Sequence, residues 1–214
     1  MSRFIDIHTH KSNADSETIE IINVRVGHEC IPAGNTLYSA GIHPWDASDY
    51  SSIDSLKQVE NADCLAIGEI GLDKCCTVPL EQQMTVFEAQ LRIAECRQLP
   101  IIIHCVKAYN EVLTELRKHK LKAVIFHGVT GSYELTREII RQGYYLSFGP
   151  GALKNTKGRS AICGCPNDKL FIETDESEEP IANLYAEVAA LKGVDTEEIK
   201  RQLEINFTNI FHNL

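Results

Sequence analysis

Residues 81–104 read EQQMTVFEAQLRIAECRQLPIIIH, and this stretch decides the fold. Within Glu81–Gln98, Met84, Phe87, Leu91 and Ala94 recur at helical spacing, and Pro100 lies just beyond, where a helix cannot continue. The run Leu99–His104 that follows is apolar up to its last residue, the pattern of a strand covered on both faces. A helix feeding such a strand is half of a βαβ unit, from which parallel sheets are built.

The same alternation extends in both directions. Candidate strands are Arg3–His10, Ile19–Val26, Leu37–His43, Cys64–Glu69, Leu99–His104, Lys122–His127, Tyr144–Phe148 and Lys169–Asp175. Further helical stretches are Tyr109–His119, Ser132–Gln142, Ile181–Leu191 and Thr196–Phe211. Eight strands alternating with helices make an α/β fold, a closed (β/α)8 TIM-type barrel, the leading architecture. The 214 residues are read as one domain, 1–214, shorter than the roughly 250 typical of a complete barrel. The shortfall lies at the front. Only Lys11–Thr18 separates the first two strands and Gly27–Thr36 the next two, whereas a parallel crossover usually takes about a dozen residues and a helix. We expect a shortened barrel lacking its first one or two helices, with the second strand displaced, irregular or antiparallel.

A formal charge of -9 argues against a long basic groove gripping a phosphate backbone. Phosphate would be met by metal ions and a few local residues. No secretory signal precedes the eight cysteines, which are therefore expected as reduced thiols in the cytoplasm. Cys163-Gly164-Cys165 with Cys75-Cys76 makes a poor zinc site, because adjacent side chains chelate poorly. No apolar run reaches the length of a membrane span, and no obligate protein partner is inferred.

Chemistry is concentrated where strands end. The first run closes on Asp6-Ile7-His8-Thr9-His10, where His8 and His10 share a face because strand residues alternate. Others close on His43, Glu69, His104, His127 and Glu173-Thr174-Asp175, so six of eight candidate strands carry a histidine or carboxylate there. Barrel active sites lie at that end. A lone histidine on an apolar strand is usually a hydrogen-bonded core residue, but five at strand ends are hard to explain that way. His28, His119 and His212 fall outside the pattern and are given no role. A mixed imidazole and carboxylate set suits Zn²⁺, Mn²⁺ or Fe²⁺ better than Ca²⁺, and its few oxygens are unusual for Mg²⁺. The donors outnumber one tetrahedral shell, which points to two ions.

The set Asp6–His10, Gly41-Ile42-His43-Pro44, Ala66-Ile67-Gly68-Glu69-Ile70-Gly71-Leu72-Asp73, the strands ending at His104 and His127, and Glu173-Thr174-Asp175 resembles the TatD family of metal-dependent deoxyribonucleases, within the amidohydrolase-type barrel superfamily. Order and spacing hold from about Leu37 to the closing Asn206–Phe211, and the Gly68–Asp73 stretch is the most specific element. The resemblance implies a phosphodiesterase acting on DNA or small nucleotides with one or two divalent ions, Zn²⁺, Mn²⁺ or Mg²⁺. By position it implies that His8 and His10 hold one ion and His104 and His127 the other, with Glu69 bridging. Asp175 would bind the first ion, orient the attacking water and take its proton. His43 would donate to a phosphate oxygen. Asp73 would either contact substrate or hold the Glu69 loop.

Three features depart from the family's usual pattern. Asp175 is followed by Glu176-Ser177-Glu178-Glu179-Pro180 rather than Ser-Pro, which adds negative charge at the expected mouth or at the start of the next helix, where it is favourable. The basic segment after that aspartate is missing, and Lys107, in Cys105-Val106-Lys107, is left as the candidate phosphate contact. The front is short. Two alternatives stay open. One is an amidohydrolase-like enzyme cleaving a C–N or ester bond of a small metabolite, disfavoured by Glu69 where many barrel relatives carry a carbamylated lysine. The other is a metal-binding or scaffolding protein without catalysis, against which the complete ligand set argues.

Overall fold

The structure, a computed structural model, describes residues 2–12, 16–32, 34–49 and 64–211. Its eight strands are β1 (Phe4–Thr9), β2 (Thr18–Arg25), β3 (Tyr38–Gly41), β4 (Cys64–Asp73), β5 (Ile101–Val106), β6 (Val124–Phe126), β7 (Tyr145–Phe148) and β8 (Leu170–Ile172). They occur in one sheet in chain order, the (β/α)8 TIM-type pattern expected from the alternation. Among the described residues the α-helices are α1 (Leu80–Arg97), α2 (Tyr109–Leu116), α3 (Tyr133–Arg141), α4 (Pro150–Leu153), α5 (Thr156–Gly164), α6 (Ile181–Lys192) and α7 (Thr196–Ile210). None is long and apolar enough to cross a membrane. Among the described residues no α-helix lies between β1 and β2 or between β2 and β3, as expected of the shortened front, and a 3₁₀ turn, Pro44–Asp46, follows β3.

The second strand is neither displaced nor antiparallel, which corrects the expectation above. It pairs in parallel with β3, Ile22 with Tyr38 through Arg25 with Gly41. The Phe4 amide donates to the Glu17 carbonyl at 2.8 Å, so β1 and β2 also start at the same level. Chain length explains why no helix is needed. A six-residue strand rises only about 20 Å. The residues His10–Glu17 and Val26–Leu37 between strands can each span that distance when extended. The usual helix packs the sheet face; it is not what makes the return possible.

The chain falls into two compact units. Ile22–Ile125 carries the second half of β2 and all of β3, β4 and β5. Here β4 is the centre, paired with β3 and β5, and its ladder with β5 slips between Ile67 and Ile70. That extra residue is a bulge, a device that re-aims side chains, and Glu69 sits in it. Helix α1 packs on β4 through Val86, Phe87, Leu91 and Ala94, all buried.

Met1–Ile21 with Phe126–Leu214 forms the other unit. There β7 pairs with β8 in register Leu146 with Leu170. Beyond β8 the Asp175 amide donates to the His8 carbonyl at 3.0 Å, and the His10 amide to the Asp175 carbonyl at 3.1 Å. The last strand therefore ends at Ile172 rather than Asp175, and Asp175 takes left-handed backbone at φ 56°. Helices α4 and α5, between β7 and β8, were not anticipated. Their segment is rich in glycine, proline and asparagine, which reads as loop. Yet Asn155 caps α5 by accepting from the Gly158 amide at 2.8 Å, and a Cβ at Gly158 would lie 2.4 Å from the Ala152 carbonyl oxygen. Glycine here is what lets α5 approach α4.

Behind β1, Tyr185 of α6 is wholly buried, and its hydroxyl both accepts from the Ile5 amide and donates to the Ile5 carbonyl, each at 2.9 Å. Tyr185→Phe is expected to leave both backbone groups without that partner and to cost about 1–3 kcal/mol. A lower urea midpoint at unchanged slope would show it, whereas an unchanged midpoint would mean the pair contributes nothing net.

Candidate metal centre

In the unit holding β1, the period of two within Asp6–His10 turns Asp6, His8 and His10 to one side of the strand. His8 is fully buried and His10 partly so. Asp175 Oδ1 lies 3.6 Å from His8 Nε2 and 3.5 Å from His10 Nε2. The His127 ring, immediately after β6, lies 4.4 Å from that of His8 between centroids. The two carboxylate–imidazole separations approach the roughly 3.3 Å edge of a tetrahedron of ligands about zinc.

Three other side chains hold these donors. Asp6 accepts from the Thr174 amide at 3.0 Å and hydroxyl at 2.6 Å, which ties the end of β8 to β1. Burial raises the Asp6 carboxyl to about 7, against the opposing pull of those hydrogen bonds. Glu173, fully buried, accepts from the Gly128 amide at 2.5 Å and lies 3.5 Å from His127 Nδ1.

In the other unit, Glu69 Oε1 meets His104 Nδ1 at 2.6 Å and His43 Nε2 at 3.4 Å. His43 Nδ1 accepts the Trp45 amide at 3.2 Å, so its remaining nitrogen carries the hydrogen and points at Glu69. Burial lowers the His43 pKa, with Glu69 opposing, and favours the neutral ring. A neutral imidazole with Nε2–H is a donor, which separates His43 from a ligand's role. Asp73 accepts from the Trp45 indole and the Cys75 amide, each at 2.7 Å, and faces His104 Nε2 at 3.4 Å. Burial pushes its carboxyl up, but these hydrogen bonds outweigh it and hold the group below the usual carboxylate range. Lys107 is exposed, in left-handed backbone directly after β5.

Sequence reasoning missed what fixes this half. Asn23 accepts from the Glu69 amide at 2.8 Å. Gln90 brackets Ile42, accepting its amide at 2.7 Å and donating to its carbonyl at 3.1 Å. Gln83 does the same for Asp73, at 2.7 and 2.9 Å. The signal was available: two glutamines seven residues apart on the apolar face of α1 are buried amides in search of backbone.

The donor atoms of His8, His10 and Asp175 lie within 4.8 Å of one another in one unit, as do those of His43, Glu69 and His104 in the other, where His43 is a hydrogen-bond donor beside the Glu69–His104 pair. Imidazole and carboxylate donors that are largely buried at this spacing suit a transition-type divalent ion. An open cavity of about 270 Å³ adjoins the first, lined by Gly128, Gly149 and Glu173 to Ser177. Of the acidic run, Glu178 is engaged by Lys11 Nζ at 3.0 Å, while Glu176 lies on the cavity wall. His28 pairs with Asp46 at 3.3 Å and His119 with Glu95 at 3.0 Å, which accounts for both; His212 lies outside the described residues. All eight cysteines are unbridged, and burial pushes the Cys105 and Cys165 thiols to about 12.

A parallel (β/α) barrel with imidazoles and carboxylates gathered at its strand ends defines a metal-dependent hydrolase. The chain belongs to the TatD family: residues 7–212 match the family described as TatD related DNase. It is 36% identical over 205 residues to the uncharacterized metal-dependent hydrolase YabD of Bacillus subtilis, covering 86% of this chain and 80% of that one. It is 30% identical over 200 residues to the 3'-5' ssDNA/RNA exonuclease TatD of Citrobacter koseri, covering 81% and 76%. The crystal structure of the Escherichia coli TatD homologue YjjV superposes with a TM-score of 0.84 at 23% identity, covering 100% of this chain and 99% of that one.

One glycine tests how tightly the centre is built. Gly71 pairs with His104 across β4 and β5, has φ 147°, and a Cβ there would lie 1.9 Å from the His104 carbonyl oxygen. Gly71→Ala is expected to cost about 3 kcal/mol or more and to lower divalent-ion content per chain. Thermal unfolding with elemental analysis checks both, and an unchanged melting temperature would refute the packing account.

Proposed function

We propose that this hydrolase cleaves phosphodiester bonds at the ends of single-stranded DNA or RNA, or in small nucleotides. The carrying observation is the His8–His10–Asp175 triad together with the Glu69–His104 pair, on and just beyond the strands of a TatD-family chain. In this reading His8, His10, Glu69, His104, His127 and Asp175 would be the ligands of one or two divalent ions. Zn²⁺, Mn²⁺ and Mg²⁺ are the candidate ions. When bound, they supply Lewis acidity toward a phosphate oxygen and a water molecule.

The chain's own groups do the rest. Asp175 Oδ1 lies 3.6 Å from His8 Nε2 and 3.5 Å from His10 Nε2, and in this reading its carboxylate accepts the proton of the attacking water. His43, neutral and carrying its hydrogen on Nε2, donates to a phosphate oxygen as negative charge grows there, a contact stronger in the transition state than in the ground state. Lys107 offers an exposed cation for a neighbouring phosphate. Asp73 acts through Trp45 and the turn after β4. The products are a phosphomonoester and an alcohol. Residues 1–214 serve this reaction as one domain, in the cytoplasm, a location the eight unbridged cysteines support. A carboxylate at Glu69, where a lysine would be carbamylated, disfavours the amidohydrolase alternative.

The test is release of nucleotides from single-stranded and duplex DNA after EDTA treatment, with Mg²⁺, Mn²⁺ or Zn²⁺ returned singly. Cleavage restored by metal, and reduced at least about 100-fold in Glu69→Ala and Asp175→Asn, is the expected result. Stoichiometric metal with no cleavage of any phosphodiester would overturn the reading.

A further inference from the structure

We infer that Trp45 is a stacking platform for the nucleobase beside the hydrolysed phosphodiester, an inference that rests on the phosphodiesterase reading and extends it. Trp45 is 51% exposed, yet the residue is fastened in place. Its indole nitrogen donates to Asp73 Oδ2 at 2.7 Å, and its amide donates to His43 Nδ1 at 3.2 Å. Its ring stands edge-on to His43 at 4.6 Å and to His104 at 6.1 Å between centroids. The short 3₁₀ turn Pro44–Asp46 that carries it is clamped by Arg25, whose guanidinium binds Asp46 at 2.7 to 3.1 Å and lies 5.9 Å from the indole centroid.

A tryptophan that served only packing would be buried, and one that was merely exposed would not be fastened at three points. With the indole N–H already satisfied by Asp73, the group this side chain still presents is a π face. That face lies within one ring's reach of His43, the imidazole proposed to contact the phosphate. Every base has a π face, so such a platform grips a nucleotide without selecting among bases. Because the indole is ordered before substrate arrives, little rotamer entropy is lost on binding. In a chain of net charge -9, a contact independent of Coulomb attraction is also the kind that can hold an anionic substrate.

The chain contains a single tryptophan, so its emission reports this residue alone. With metal-loaded wild-type protein, thymidine 5′-monophosphate is expected to quench the emission saturably, and 2-deoxyribose 5-phosphate, which lacks the base, to leave it unmoved. Kinetics supply the second readout. Wild type is expected to favour an oligothymidylate over the same strand with abasic terminal residues by about 10- to 100-fold in kcat/KM. Trp45→Leu is expected to lose that preference, chiefly through KM, and Trp45→Phe, which keeps a π face, to retain most of it. Equal preference in Trp45→Leu and wild type, or emission indifferent to the base, would overturn the platform while leaving the phosphodiesterase reading intact. Absence of metal-dependent cleavage on either strand would overturn the reading beneath it.

Discussion

A β-ladder stops abruptly, and the backbone groups just beyond its end must find other partners or be buried at a cost of about 1–3 kcal/mol each. The proposed centre depends on how this chain meets that constraint. Just past β3, β6 and β8, and within β4 at the slip beside Glu69 and at its last residue Asp73, a buried side chain from elsewhere serves the backbone groups that the ladder leaves. Asp6 receives the Thr174 amide, Glu173 the Gly128 amide, Asn23 the Glu69 amide, and Gln90 and Gln83 bracket Ile42 and Asp73. Each of the five holds a residue that is, or directly precedes or follows, one of the imidazole or carboxylate donors. The donors are thus aimed by backbone that other side chains have fixed.

The same arrangement sorts the carboxylates. Asp6 is buried against the Thr174 hydroxyl and amide, and loss of solvation dominates, so its proton is held to about 7. Asp73 collects N–H donors from Trp45 and Cys75 and stays ionised. Asp6 lies two residues from His8 and Asp73 four from Glu69, yet their surroundings assign them opposite tendencies. Ionised Asp73 is what makes a good acceptor for the indole, while Asp6 tolerates a buried site because its nearest partner is a hydroxyl that can serve either protonation state.

Much of this was legible in the sequence. The apolar runs ending in His104 and His127, and the period of two in Asp6–His10, placed the strands and their donors, because a buried parallel strand has a composition few other elements share. Legibility failed where the reason was tertiary. A rule about typical crossovers suggested an irregular β2, but the return needs only length, which His10–Glu17 and Val26–Leu37 possess. Helices α4 and α5 were hidden by glycines whose purpose, close approach at Ala152, exists only in the folded chain. Asn23, Gln83 and Gln90 carry no motif, since their meaning is the backbone they touch. Even so, two amides on the apolar face of one helix were a legible anomaly.

Net charge sets the remaining constraint on substrate. At -9 the long-range field repels a polyanion, so electrostatic steering cannot supply the encounter. Part of the local acidity is quenched, as Glu178 is drawn to Lys11, but Glu176 still faces the cavity beside Asp175. Binding must therefore come from contacts that act only at short range. The fold concentrates these at the ends of β3, β4 and β5, where a neutral imidazole, a tethered indole and an exposed lysine follow one another around the strand ends. On the proposed reading, a rim built this way engages one phosphate and one base at the terminus of a strand and is spared desolvating the many charges of a long duplex. The acidic composition and the local site thus favour the same kind of substrate.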